Sequence, residues 1–132
     1  DFHAPLVVGD RLDTDIAGAT AAELPSLMVL TGVNSARDMV FAPAEQRPTY
    51  LGRDLRTLYT DTASAAIAAQ PAWRVDVDGD RIMVAAAGAD DGDGLSVVRA
   101  VAAAVWAAGS TDPKLCAADD TARTALRRWS LL

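Results

Sequence analysis

The sequence predicts an α/β fold in two parts, a parallel-sheet segment followed by a small α+β unit. Three observations carry this. Two short, continuous apolar runs at 6–8 and 26–30 flank an Ala-rich helical stretch. Such runs mark strands covered on both faces, and strand, helix, strand in so few residues makes the strands parallel neighbours with a right-handed crossover. Beyond Pro71 the pattern changes: apolar and polar residues alternate strictly from Trp73, as in an antiparallel hairpin with one wet face.

The first strand, 6–8, ends at Gly9-Asp10. Thr14 is expected to cap the next helix, with Asp15 in its first turn, where a negative charge suits the helix dipole. Ile16, Ala19 and Leu24 would form the buried stripe, and Pro25 stops the helix. The second strand, 26–30, ends at Thr31-Gly32. After Asn34-Ser35 a short helix is expected over 36–41. Pro43 and Pro48 break the next segment, and 49–51 reads as an edge strand. Asp54 caps a turn carrying Leu55 and Leu58, and Thr60 or Asp61 caps a helix over 62–70 that Pro71 ends.

In the second part Trp73, Val75 and Val77 alternate with Arg74, Asp76 and Asp78, and Ile82 and Val84 with Arg81 and Met83. Asp78-Gly79 reads as the turn between them. An acidic, Gly-rich loop over 88–94 leads into a helix with Leu95, Val98, Val101, Ala102 and Val105 on one face, ending near Gly109. A short strand is expected at 114–117, and Asp119 or Asp120 caps a last helix running through Leu126 and Trp129. The organisation expected is a core segment over 1–60, a linker helix over 61–71 and a small unit over 72–132.

Composition narrows the function. Apolar residues make up 51% of the chain and charged ones 23%, a globular rather than a disordered balance. Net charge is −6, and no basic stripe of the kind that phosphate-backbone binding needs is present, which argues against nucleic acid as a partner. The lone Cys116 excludes an internal disulfide and fits a reducing compartment, most simply the cytoplasm; an idle thiol is the simpler reading than a nucleophile. His3 is the only histidine, so a multi-histidine zinc site within the chain is excluded. No apolar run reaches the roughly 18 residues of a membrane span. The chain begins on Asp1 with five residues before the first strand, and is expected to be the C-terminal part of something larger.

The chemistry concentrates at Gly9-Asp10 and Asp15. Ligands of open α/β sheets collect at the carboxyl ends of the strands, where Asp10 is expected. Magnesium takes oxygen ligands and keeps some of its water, so Asp10 is a candidate metal ligand. Asp15, one turn into the next element, could face the same crevice. The alternative is that Gly9-Asp10 is only a turn and Asp15 only a helix cap.

The run Gly9-Asp10-Arg11-Leu12-Asp13-Thr14-Asp15-Ile16, followed by Ala17-Gly18-Ala19 and Val29-Leu30-Thr31-Gly32-Val33, resembles the last motif of haloacid-dehalogenase-type (HAD) phosphatases. The nearest branch is that of the p-nitrophenyl phosphatases and phosphoglycolate phosphatases, and the match covers about 6–58. The resemblance implies the C-terminal part of a Rossmann-like HAD core, with Asp10 binding Mg2+ and Asp15 a supporting acidic residue beside the metal and the catalytic lysine. Arg11 is a candidate for steadying the site or a substrate, or makes only a surface ion pair. In that family an aspartate attacks a phosphate monoester and the aspartyl-phosphate is then hydrolysed. The motifs carrying the nucleophile, the phosphate-binding Ser/Thr and the lysine lie N-terminal to this segment, so the chain alone is not expected to be active.

Asp76-Val77-Asp78-Gly79 imitates the nucleophile motif of those enzymes but lies in an alternating hairpin and in the wrong chain order. An EF-hand reading of Asp76, Asp78 and Asp80 fails because Arg81 stands where glycine is needed and Ala87 where glutamate is. The element order from Trp73 onward is similar to the core of GCN5-type acetyltransferases (GNAT-like). Their pyrophosphate loop would fall at Gly92-Asp93-Gly94, where Asp90, Asp91 and Asp93 would repel coenzyme A. A structural role in assembly or oligomerisation is therefore expected for this unit, with Trp106, Trp129 and Leu131-Leu132 either docking surfaces or its own core. The two-part layout resembles that of glycerol 3-phosphate-type phosphatases with such an appended domain, and this resemblance implies a small polyol phosphate as substrate.

Overall fold

The computed structural model describes residues 5–32, 34–89, 92–110 and 112–132. His3, Asp90 and Asp91 lie outside the described residues. The chain divides into two compact units, Asp1–Ile67 and Ala68–Leu132, and each is built on its own three-stranded sheet.

In the first unit β1 (Val7–Gly9), β2 (Ser26–Val29) and β3 (Tyr50–Gly52) lie side by side in chain order, all parallel. Val8 pairs with Leu27 and Leu27 with Tyr50. All of β2 is buried, as a central strand covered on both faces must be. α1 (Ala17–Ala21) crosses from β1 to β2, and α2 (Ala36–Val40) leads toward β3. Leu12, Ile16, Ala19, Leu27, Met28, Met39, Val40 and Leu51 form the core; each large side chain fully removed from water stabilises the fold by about 1.5–3 kcal/mol.

Three expectations need correction here. Among the described residues Thr14 caps nothing: the helix begins earlier, as a π-helical turn over Leu12–Ile16 that feeds α1. Leu24 is 38% exposed rather than part of the stripe, because α1 stops at Ala21 and Glu23 adopts a left-handed φ of 57° that turns the chain away. Leu12 takes its place in the core at 3% exposure. The helix expected over 62–70 is only α3 (Thr62–Ala65). Its continuation is diverted onto the edge of β3, where Ala66 bridges Tyr50 antiparallel and the Ile67 N–H donates to the Thr49 carbonyl at 3.0 Å. Edge-strand groups that a longer helix would leave bare are satisfied in this way.

In the second unit β4 (Trp73–Asp78) and β5 (Arg81–Ala86) form the antiparallel hairpin, and β6 (Lys114–Ala117) joins β5 in parallel. The turn lies one residue later than expected. Asp78 still pairs with Arg81, so the two-residue loop is Gly79-Asp80, with Gly79 at φ 61°. α4 (Ser96–Ala108) buries Val97, Val98, Val101, Ala102 and Val105 against the hairpin, stops at Gly109 as expected, and crosses over to β6. α5 (Asp120–Arg128) is capped by Asp119, whose carboxylate accepts from the Ala122 N–H at 2.7 Å and from the Ala86 N–H at 2.9 Å. The buried indole of Trp73 donates to the Ser96 hydroxyl at 2.8 Å. Among the described residues no helix is long and apolar enough to cross a membrane.

Candidate metal centre

Parallel pairing brings the carboxyl ends of β1 and β2 together, because Gly9 is in register with Met28. The loops leaving these ends carry Asp10 and Gly32. A β-carbon on Gly32 would collide with the Asp10 carboxylate, and one on Gly9 would collide with the Asp15 side chain. Asp10 therefore packs on the backbone of Gly32 and Asp15 on that of Gly9. Both carboxylates sit on the rim where the two strands finish. Both are half-buried, and among the described residues neither side chain accepts a hydrogen bond or joins a salt bridge.

This donor set suits a hard divalent cation, which takes carboxylate oxygens and completes its octahedron with water. It is not a finished site. No group of three His, Cys, Asp or Glu side chains able to hold a metal gathers among the described residues. An ion held at Asp10 would need to complete its coordination with water or with other groups.

Asp15 rides on the π-helical turn, in which the Ile16 N–H reaches back to the Arg11 carbonyl at 3.2 Å. Single π turns inside helices recur at functional sites. Arg11 is turned to the solvent side and pairs with Asp13 at 3.1 Å, with 47% and 58% of the two side chains exposed. The Asp13 hydrogen bond holds the guanidinium charged, and the fields of Asp15 and Asp10 add to that effect.

Asn34 is a residue that sequence reasoning passed over. No side chain within the π turn caps its start. Asn34 reaches in from the loop after β2 instead, and its Oδ1 accepts from the Leu12 N–H at 2.8 Å. Its backbone N–H donates to the Asp10 carbonyl at 3.4 Å, and its Nδ2 donates to Asp38 Oδ2 at 3.2 Å. Asp38 closes a capping box with Ser35 at the start of α2. A groove lined by Leu12, Asn34, Arg37, Phe41 and Gln46 opens beside these contacts, with the Arg37 guanidinium 4.8 Å over the Phe41 ring.

Residues 1–58 match the family model described as HAD-hydrolase-like, and residues 70–131 match the GCN5-related N-acetyltransferase-like domain. The chain is 56% identical to D-glycerol 3-phosphate phosphatase of Mycobacterium tuberculosis, a match covering all of this chain and 40% of that protein. The first half is HAD-like and the second GNAT-like. Crystal structures of glycerol phosphate phosphatase from the same organism, one with magnesium and one with calcium, superpose with TM-scores of 0.91 and 0.92 at 59% and 58% identity. They too are covered over 39% and 40% of their length, and all of this chain is matched. The chain thus spans about 40% of the relatives it matches.

In the GNAT-like half the Gly92-Asp93-Gly94 loop differs from expectation at Asp93. Its carboxylate turns inward to Arg99 at 2.7 Å, a guanidinium only 5% exposed, and also accepts from the Leu95 N–H at 3.0 Å. Burial pushes the Asp93 carboxyl up, but the hydrogen bonds from Arg99 and Leu95 outweigh it and leave it below the ordinary value. Asp93 therefore does not direct a free charge at a ligand, and the repulsion expected from it is largely neutralised. Asp76 and Asp78 stand in the hairpin, with Asp76 paired to Arg74 at 3.0 Å; the Asp-x-Asp-Gly of this half forms no strand-end site. Trp129 and Leu131 serve this unit's own packing: the Trp129 indole donates to the Gly94 carbonyl at 2.9 Å, and Leu131 is 3% exposed. Leu132 stays 47% exposed. Cys116 is a free, half-buried thiol on β6.

Proposed function

We propose that this chain supplies a magnesium ligand to a magnesium-dependent phosphomonoesterase that hydrolyses a small phosphorylated metabolite, glycerol 3-phosphate being the favoured substrate. The observation that carries this reading is the match of the whole chain to a glycerol 3-phosphate phosphatase at 56% identity. Two carboxylates at the rim of a parallel sheet, neither bonded to a partner among the described residues, support it. In this reading Asp10 is the metal ligand and Asp15 the acidic residue that supports it. Arg11 lends positive potential at the mouth of the site, where a phosphate dianion approaches. The nucleophile, the phosphate-binding hydroxyl and the lysine come from residues N-terminal to this segment in the complete protein. Magnesium, when bound, neutralises phosphate charge and aligns the ester for in-line displacement.

The 1–60 segment acts as the core portion, 61–71 as the connection and 72–132 as a module for stabilisation or homo-oligomer assembly. A reducing, cytoplasmic setting suits the single free thiol of Cys116.

Hydrolysis of glycerol 3-phosphate by the complete protein is expected to stop on chelation with EDTA and to return on adding magnesium in excess. Turnover that persists in EDTA, or no turnover with magnesium present, overturns the reading. For the GNAT-like half, titration calorimetry with acetyl-CoA is expected to give no heat of binding at micromolar protein. Micromolar affinity would replace the assembly role with a coenzyme A-binding one.

A further inference from the structure

We propose that Asn34 is a positioning residue that sets the direction of the Asp10 carboxylate by clamping the loop that carries it. The inference rests on the phosphatase reading above and deepens it. The peptide from Asp10 to Leu12 is held at both ends by one residue: the Asn34 N–H donates to the Asp10 carbonyl at 3.4 Å, and Asn34 Oδ1 accepts from the Leu12 N–H at 2.8 Å. A loop pinned on both sides of Arg11 fixes where the Asp10 Cα–Cβ bond points, and so keeps the carboxylate on the Gly32 side.

The clamp itself is anchored. Asn34 Nδ2 donates to Asp38 Oδ2 at 3.2 Å, the same oxygen accepts from the Ser35 N–H at 2.9 Å, and the Asp38 N–H donates to Ser35 Oγ at 3.2 Å. The clamp is thereby tied to the first turn of α2, whose Ala36, Met39 and Val40 are buried. Only a carboxamide fits position 34. It must accept from Leu12 and donate to Asp38 together, whereas a carboxylate only accepts and would face Asp38 as a like charge. Residues that orient a metal ligand by hydrogen bonding act on affinity through that ligand, without touching the metal or the substrate.

The test uses the complete protein, with magnesium affinity measured by calorimetry in the absence of substrate and by the magnesium dependence of turnover. Asn34→Ala is expected to weaken magnesium by roughly tenfold, with KM for glycerol 3-phosphate at saturating magnesium within about twofold. Amide exchange at Leu12 should quicken in the same variant. Asp38→Ala removes the anchor but leaves both Asn34 contacts with the Asp10 loop, and should weaken magnesium less than Asn34→Ala does. Wild-type magnesium affinity in Asn34→Ala overturns the proposal, as does a loss in Asp38→Ala equal to that in Asn34→Ala. Asp10→Asn is the control. If it binds magnesium normally, the metal reading itself fails; if it loses magnesium while Asn34→Ala does not, only the clamp fails.

Discussion

Replacing Asp10 with Asn in the complete protein should lower magnesium-dependent turnover by about 10³-fold, the effect of losing about 4 kcal/mol of transition-state stabilisation. The fold should survive, because Asp10 is half-buried and its side chain holds no hydrogen bond or salt bridge among the described residues. Gly32→Ala is the sharper variant. It leaves every carboxylate in place, but its methyl group occupies the space where the Asp10 carboxylate packs. The carboxylate must swing away, and magnesium affinity is expected to fall by about 10- to 100-fold. Gly32 is exposed, so stability should change by no more than about 1 kcal/mol. Magnesium titrations and thermal melts of the two variants separate the effects. A Gly32→Ala protein with normal magnesium dependence would show that Asp10 acts from a position other than this rim.

The second large effect is structural. Asp93→Ala removes the carboxylate that faces a guanidinium buried to 5% exposure. Losing one partner of a buried pair costs about 3–5 kcal/mol, and the lower figure applies here because Asp93 keeps part of its side chain in water. Arg99→Met on that background should recover much of the loss, since an apolar side chain of similar length needs no counter-charge. Urea titration of the three proteins measures the coupling, and equal stability of Asp93→Ala and wild type would remove the pair from any account of the loop.

The same pair fixes a pH dependence. The Asp93 carboxyl lies below its ordinary value of 3.8 when folded, so the unfolded chain binds the proton first as pH falls. The contribution is complete above about pH 4 and disappears as pH drops through the folded value. Asp54 behaves in the same sense, lowered to about 2 by its hydrogen bonds from Arg56. Acid melts should therefore steepen below pH 4.

What the sequence revealed is what periodicity and local chemistry encode. The crossover from β1 to β2 and the apolar stripe of α4 follow from spacing, and the Asp54 and Asp119 caps follow from side chains that bond their own neighbourhood. The position of Asp10 at the end of β1 was legible because an apolar run stops at Gly9-Asp10. Asn34 was not, because its acceptor role is fulfilled 22 residues away and an amide in a loop has no period. The π turn was hidden for a related reason: Thr14 has the composition of a cap, but the start of the turn is satisfied from outside it. Alanine-rich sequence overstated α3, since its helix propensity carries no information about a β3 edge waiting to be paired. The inward turn of Asp93 depends on a buried arginine one turn into α4, which charge counting along the loop could not reveal.

All three tryptophans, at 73, 106 and 129, fall in the unit spanning Ala68–Leu132, and the other unit has none. The indole of Trp73 is enclosed and bonded to Ser96. Intrinsic fluorescence of this chain is consequently a reporter for one half only. Its emission should shift to the red when the GNAT-like half opens and exposes the Trp73 indole to water.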